Sequence, residues 1–428
     1  MNGIVRQTQV YLAGVAGRKP RVPMDPQRLE DRASRAMPSR SWAYIRAGAG
    51  AERTMAANRE AFDRVRIVPR MLRDVATRDT SIELFGKRFA APVLTAPIGV
   101  LELAHREADL GVARGTRDAG VPMVISNQAS RPMEAIAREL GDAPRWFQLY
   151  WSKSDALVES LVARAEAIGA DAIVVTLDTT ILGWRPRDLE IAFLPFLRGK
   201  GIAQYTSDPV FRSLVKDTVT QGGPTPRPTL HALKTLIDLT RAYPDPFLAS
   251  LRSGDARAAV QRFVELYSRP SLTWDDLPFL RERTSLPIVL KGILHPDDAA
   301  RAVDEGVDGI IVSNHGGRQV DGSIATLDAL PAIAAAVDGR IPITLDSGVR
   351  TGADVFKALA LGATAVHVGR PYVYGLAIAG AEGVTEVLSN VLAEFDLTMG
   401  LAGCTSVDQI GPECLQESEM RIPGRATG

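Results

Sequence analysis

From about Ala91 onward, short apolar runs rich in β-branched residues alternate with longer stretches whose apolar positions recur every three to four residues. The short runs fall at Pro92–Pro97, Val121–Ser126, Trp146–Tyr150 and Ala172–Thr176, then at Pro287–Lys291, Gly309–Ser313, Ile341–Asp346 and Ala365–Gly369. Helical spacing occupies Ala108–Ala119, Ala156–Ile168, Pro296–Glu305, Leu327–Val337 and Ala353–Leu361. Strand–helix alternation predicts parallel strands joined by crossover helices, and eight such units can close into a barrel. A doubly wound open sheet would give the same alternation. The placement of polar residues favours the barrel. The runs end in Gly99, Ser126, Gln148 and Tyr150, Thr176, Lys291, Ser313 and His315, Asp346, and Gly369 with Arg370. A barrel gathers all eight C-terminal strand ends at one mouth, whereas an open sheet spreads them along a crevice. The expected fold is therefore α/β, a (β/α)8 TIM barrel.

Two segments stand outside this rhythm. Residues 1–65 read as an N-terminal helical lead-in, with helices expected over Arg28–Ala36 and Ser39–Ala47, ahead of a barrel spanning 66–428. A long insertion, 186–286, separates the fourth and fifth strands and includes the turn-rich Gln221–Pro228, where a disordered patch is expected. Connections of this length are usually functional, and this one follows a strand end at the catalytic mouth, so a lid is expected.

Composition narrows the picture from the other side. Lys plus Arg and Asp plus Glu are both 50 in 428 residues, which argues against a general nucleic-acid or membrane-surface binder. Cys404 and Cys414 have no metal-ligand spacing and make no disulfide framework, so no metal is expected and a cytoplasmic location is. The first twenty residues are interrupted by Gly, Arg and Lys and do not read as a signal peptide. No unbroken run of 18 apolar residues occurs, so no membrane insertion is expected.

The densest chemistry is Ser313-Asn314-His315-Gly316-Gly317-Arg318, directly after the sixth run. An imidazole accepts a proton near neutral pH, and a guanidinium three residues on can hold a carboxylate through two bonds. Asp346-Ser347-Gly348-Val349-Arg350 and Gly369-Arg370-Pro371 follow the seventh and eighth runs, the two loops that bind phosphate in such barrels. Lys291 ends the fifth run; a charge aimed at an anionic or electron-rich cofactor ring suits it, with a Schiff-base lysine as the alternative. Near the fourth run lie Thr176, Asp178 and Gly183-Trp184-Arg185-Pro186-Arg187-Asp188. Arg185 could form a second carboxylate clamp and Asp178 could orient His315. A solvated charge run explains those residues equally well.

Taken together, these motifs resemble the FMN-dependent 2-hydroxy-acid oxidoreductases from Tyr44 to about Ile410, most specifically over Ser313–Gln319. The resemblance implies FMN as cofactor and His315 as proton acceptor, with Asp178 orienting it. It implies Arg318 and Arg185 on the substrate carboxylate, and Tyr44 and Tyr150 as phenols at the carboxylate and hydroxyl. Pro97, Ile98, Gly99, Ser126, Gln148, Thr176, Lys291 and Ser313 would surround the flavin ring, with Lys291 offsetting negative charge on it. Asp346, Ser347, Gly348, Val349, Arg350, Gly369 and Arg370 would meet the ribityl chain and phosphate. A homotetramer or homo-octamer is implied as well.

Within that family the chain is most similar to the lactate 2-monooxygenase subgroup, through Ala96–Val100, Gly183–Leu189 and Phe196-Leu197-Arg198-Gly199. The expected reaction is L-lactate plus O2 to acetate, CO2 and water. A peroxide-releasing oxidase or a quinone-linked dehydrogenase is the nearer alternative; an FMN-barrel isomerase or a non-redox flavin-binding protein is the more distant one. Gly99 stands where relatives have alanine and is expected either to leave extra room beside the ring or merely to serve its turn. Ser347 stands where relatives often have glycine, and Asn127-Gln128 and Trp151 depart from the family pattern.

Overall fold

Eight parallel strands form one sheet in the order expected of a closing barrel. They are β1 (Val93–Thr95), β2 (Met123–Ile125), β3 (Arg145–Leu149), β4 (Ile173–Thr176), β5 (Ile288–Ile293), β6 (Gly309–Val312), β7 (Ile343–Leu345) and β8 (Ala365–Val368). The structure is a computed structural model and describes residues 2–221 and 229–417. Register runs continuously, with Phe147 opposite Ile173, Val175 opposite Leu290, and Val366 on β8 opposite Val93 on β1. The remaining seam, between β1 and β2, is held by Thr95 N–H to the Pro122 carbonyl at 3.1 Å and Val124 N–H to Thr95 Oγ1 at 3.3 Å.

The unbroken apolar runs now have a physical reason. Both faces of nearly every strand are buried, so alternation is suppressed. Leu94, Val124, Trp146, Val174, Val289 and Ile311 point inward and fill the barrel, while the opposite faces pack against helices. A hairpin of Ile82–Leu84 and Lys87–Phe89 plugs the lower end, placing Phe85 5.5 Å from the Trp146 ring.

The predicted helices appear within two residues at each end, at Pro26–Ala36, Ser39–Arg46, Ala108–Ala119, Asp155–Ala167, Pro296–Asp304, Thr326–Val337 and Gly352–Ala360. Their starts are written in the chain: Ser154 caps one, and Thr351 with Asp354 forms a reciprocal box at another. Helices Gly3–Val15, Arg53–Arg64, Met133–Leu140 and Arg370–Leu401 were not anticipated. The last is long and apolar enough by composition to cross a membrane, although no unbroken apolar run marks it. It kinks at Ala379-Gly380, and 61% of its apolar window is buried within the molecule. The lead-in binds it, with Gly3 N–H donating to Asp396 Oδ2 at 2.7 Å.

The insertion is largely helical where described, with Pro209–Gln221, Leu230–Ala242 and Asp255–Leu266 as its main helices. Rings of Tyr205, Phe211, Phe196 and Phe263 pack together, with Tyr205 and Phe263 4.8 Å apart. Of the turn-rich Gln221–Pro228, all but the first residue lie outside the described residues.

Candidate active site

The strand C-termini open into a cavity with about 1170 Å³ of empty space, part of it continuous with solvent. β6 leads into a tight turn in which His315, Gly316 and Gly317 all have positive φ, at 57°, 66° and 73°. This left-handed path is unusual for a histidine and is tolerated where the surroundings over-determine it. Here His315 N–H donates to Ser313 Oγ at 3.1 Å, and its Nδ1 lies 2.8 Å from Asp178 Oδ1. A bulge at the end of β5 brings Lys291 to the same carboxylate, its Nζ 3.4 Å from Asp178 Oδ2, 3.5 Å from Asp346 Oδ2 and 2.9 Å from Ser313 Oγ. The bulge depends on Gly292, at φ 112°, where a Cβ would stand 2.9 Å from Asp178 Cβ.

Charge settles the protonation of this group. Burial alone would raise the Asp178 pKa, but Lys291 and His315 outweigh it and hold the carboxyl at about 2. Burial lowers the His315 pKa, Asp178 opposes it, and Lys291 and Arg185 add to the lowering. At neutral pH the arrangement is an ionised Asp178 accepting from His315 Nδ1–H, which leaves Nε2 as a free base. Burial and Asp178 push the Tyr150 phenol up to about 12, so it stays a hydrogen-bond donor.

Two arginines meet across the mouth. Arg318 donates through Nη1 to the Tyr44 carbonyl at 2.9 Å and to the Ala47 carbonyl, and stacks 5.2 Å above the Tyr44 ring. Arg185 donates from Nε to the Arg318 carbonyl at 3.1 Å and from Nη2 to Gln319 Oε1 at 3.0 Å. A guanidinium has five N–H groups, so both retain donors for a carboxylate. Burial, with Arg185 and Arg370 nearby, pushes Arg318 down to about 9. Such crowding of like charge favours an anionic ligand. Asp188, not among the expected site residues, lies close enough to feel both guanidiniums.

The phosphate-type loops border the same turn, Arg370 and Arg318 sharing the Ala47 carbonyl. Gly348, with φ 106°, Val349 and Arg350 line the cavity beside Gly369 and Arg370. The 32-residue helix that begins at Arg370 has no side-chain cap, so its N-terminal backbone donors and dipole remain available to an anion. Arg370 is braced by the Gly316 and Ala47 carbonyls, each at 3.1 Å. Ser347 ties the loop after β6 to the loop after β7, accepting from Gly316 N–H at 2.9 Å and donating to Asp346 Oδ1 at 2.6 Å.

Tyr44, Pro97, Ile98, Gly99, Ser126, Tyr150, Arg185, Lys291, His315, Arg318, Asp346 and Arg370 all line this one cavity. Gln148, Thr176, Asp178 and Ser313 do not. They stand one layer behind it: Gln148 accepts from Ser126 Oγ at 3.0 Å and donates to Thr176 Oγ1 at 2.9 Å. The extra room expected at Gly99 is absent, because a Cβ there would meet the Gln128 carbonyl oxygen at 2.8 Å and Gln128 Cβ at 2.9 Å.

Several lining residues were not anticipated. Gln128, Phe196, Tyr267 and His367 reach the cavity, the second and third from the insertion. His367 hid inside an ordinary strand run, where only its inward parity marked it. Gln319 closes the signature motif, and its Nε2 donates to the Asp178 carbonyl at 2.6 Å and the Ile181 carbonyl at 2.8 Å, fastening the loop after β4 to the loop after β6.

The residues suit a phosphorylated flavin. The cavity is lined by the Arg350 and Arg370 guanidiniums beside an uncapped helix end, by Lys291 and by the apolar Pro97 and Ile98, with a linked amide and hydroxyl series behind Ser126. Among the described residues no cluster of three or more His, Cys, Asp or Glu could hold a metal.

Comparison with known proteins agrees with this chemistry. Residues 33–417 match the FMN-dependent dehydrogenase family. The chain is 43% identical over 380 residues to an L-lactate oxidase of Lysinibacillus sphaericus, covering 89% of each chain. It is 42% identical to an FMN-dependent alpha-hydroxy acid dehydrogenase of Penicillium citrinum, over 96% of this chain and 95% of the other. Among solved structures, a mandelate oxidase with (S)-2-phenylpropionate aligns at a TM-score of 0.74 and 36% identity, covering 92% of this chain and 98% of that one.

Proposed function

The chain belongs to the FMN-dependent dehydrogenase family, an FMN-dependent oxidoreductase of 2-hydroxy acids, and from that premise we propose that it oxidises small L-2-hydroxy acids, L-lactate being representative, and converts the captive 2-oxo acid with O2 to the decarboxylated acid, CO2 and water. FMN, when bound, supplies the two-electron acceptor and afterwards the reductant for oxygen. The protein's part is orientation and proton handling.

Arg185 and Arg318 take the substrate carboxylate, with the Tyr44 and Tyr150 phenols completing its hold, which fixes C2 for reaction. His315 Nε2 accepts the proton, and the imidazolium that forms is stabilised by Asp178 at 2.8 Å. Lys291, kept charged by Asp178 and Asp346, offsets negative charge gained on its side of the cavity. Arg350, Arg370 and the helix end beginning at Arg370 anchor the phosphate.

The observation that carries the coupled reaction is that the insertion supplies part of the cavity wall. Phe196 and Tyr267, both from the insertion, share the cavity wall with the arginine pair. A wall of this kind slows escape of the 2-oxo acid while peroxide forms beside it. The similarity to an L-lactate oxidase favours a second reading, in which pyruvate and peroxide leave separately. Oxygen uptake with L-lactate discriminates between them. We expect one acetate per O2 consumed; pyruvate with equimolar peroxide would establish the second reading instead.

A further inference from the structure

Gln128 is the one amide side chain lining the cavity among the described residues, and the mechanism above gives it no task. It is 9% exposed, on the loop after β2. Its backbone is fixed on both sides, N–H donating to Ser126 Oγ at 3.1 Å and the carbonyl accepting from Val100 N–H at 2.9 Å. The insertion clamps the same loop from outside. Ala203 N–H donates to the Ala129 carbonyl at 3.2 Å, and Gln204 Oε1 accepts from Met133 N–H at 2.9 Å. Cβ atoms built on Gly99 and Gly201 would fall within 3.0 Å of the Gln128 carbonyl oxygen, so both glycines pack closely against its backbone. No other described residue hydrogen-bonds its side-chain amide.

An amide at a cavity wall with no protein partner is served by water, and a ligand that displaces that water leaves it unsatisfied unless the ligand brings an atom of matching polarity. The apolar Phe196 ring stands beside this loop, within 3.2 Å of the Gly201 Cβ position that also meets the Gln128 carbonyl. With the carboxylate on the arginines and the C2 oxygen at His315, the substituent on C2 is the part of the substrate left to meet this wall.

We propose that Gln128 is a specificity-determining residue whose amide hydrogen-bonds an oxygen on C3 of the substrate, so that the preferred acids are 2-hydroxy acids with a polar C3 substituent. The proposal rests on the hydroxy-acid reading of the cavity and narrows it. Lactate is then a minimal substrate that lacks the group Gln128 binds. A site built to pair a hydroxyl discriminates strongly against an analogue without one, whereas an apolar wall barely distinguishes the two.

L-Glycerate and L-2-hydroxybutyrate are the probes, because they differ only in CH2OH against CH2CH3. The FMN holoenzyme is mixed anaerobically with each, and flavin bleaching gives the reduction rate divided by the dissociation constant. We expect the wild type to favour L-glycerate about tenfold or more. Gln128→Leu and Gln128→Met should each abolish or invert that preference. Binding of the product acids, hydroxypyruvate and 2-oxobutyrate, to the oxidised holoenzyme should follow the same order, read from the flavin absorbance change without turnover. A wild type that favours L-2-hydroxybutyrate, or variants whose ratio stays within about twofold of wild type, overturns the proposal. If L-lactate bleaches the flavin and the two probes are not distinguished, this inference fails and the hydroxy-acid reading stands. If no hydroxy acid bleaches it, both fail.

Discussion

Replacing Asp178 by Asn tests the proton relay at its centre. The substitution keeps the shape of the side chain but removes the charge that faces His315 Nδ1 at 2.8 Å and Lys291 Nζ at 3.4 Å. In the transition state the imidazole gains a proton, and the carboxylate is the group that stabilises the cation. Two unit charges about 4 Å apart attract by about 4 kcal/mol at an effective dielectric constant near 20. Because the imidazole charge is shared between two nitrogens, the shorter Nδ1 contact does not raise this much. At about 1.4 kcal/mol per decade, the reduction of FMN by L-lactate should slow by about 10³-fold. The pH profile supplies an independent reading. The His315 pKa lies below its usual value because burial, Lys291 and Arg185 outweigh Asp178. The free base is the active form, so wild-type activity should be flat above about pH 6.5 and fall as pH drops through the lowered pKa. Without the carboxylate only the lowering influences remain, so the acid limb should move to still lower pH. Anaerobic stopped-flow reduction between pH 5 and 8, with flavin content checked by absorbance, measures both effects. A loss smaller than tenfold, or an acid limb that moves upward, would refute the assignment of Asp178 as partner to a proton-accepting His315.

Two further substitutions probe other parts of the cavity. Arg350→Ala removes a guanidinium from the phosphate end and should weaken FMN binding about 10- to 100-fold, as for loss of a charge-assisted hydrogen bond; riboflavin, lacking the phosphate, should bind both proteins alike in fluorescence titrations, and an equal loss for both flavins would contradict the placement. Gly99→Ala forces a methyl to within 2.8 Å of the Gln128 carbonyl oxygen, which Val100 N–H already holds, so the holoenzyme should lose about 1–3 kcal/mol and melt a few degrees lower; an unchanged melting temperature would show that the two loops part freely.

The reach of sequence reasoning here follows from how barrels are built. Strand runs recur with a fixed hand of connection, so every residue just past a run is delivered to the same mouth, whatever the intervening chain does. That rule alone brought His315, Arg318, Lys291, Arg350 and Arg370 together, and all five line one cavity. It could not sort lining from backing. Gln148 and Thr176 lie on the mouth side of their strands, yet their side chains spend themselves on each other at 2.9 Å, and Ser313 on Lys291 at the same distance. Parity within a strand does not decide that, because Gln148, Thr176 and Ser313 share the inward parity of the lining Lys291; the appetite of a buried polar group for a partner does.

Gly99 went wrong for a related reason. Missing side-chain volume becomes empty space only if nothing else claims it, and Gln128, 29 residues on, claims it. The insertion was opaque for a stronger reason, since no strand periodicity constrains where its residues go. Phe196 and Tyr267 are 71 residues apart and meet at one wall through the aromatic packing of Tyr205, Phe211 and Phe263. Side chains at the strand ends of a repeating scaffold are therefore placed by spacing, whereas the insertion's share of the cavity wall is placed only by tertiary packing. Gln128 belongs to both worlds: its position after β2 follows the barrel rule, but Ala203 and Gln204 of the insertion bond the loop residues around it. Substrate choice in this chain should therefore respond to changes in the 201–204 segment that leave proton transfer at His315 untouched, because among the described residues no bond of that segment reaches the Asp178–His315–Lys291 group.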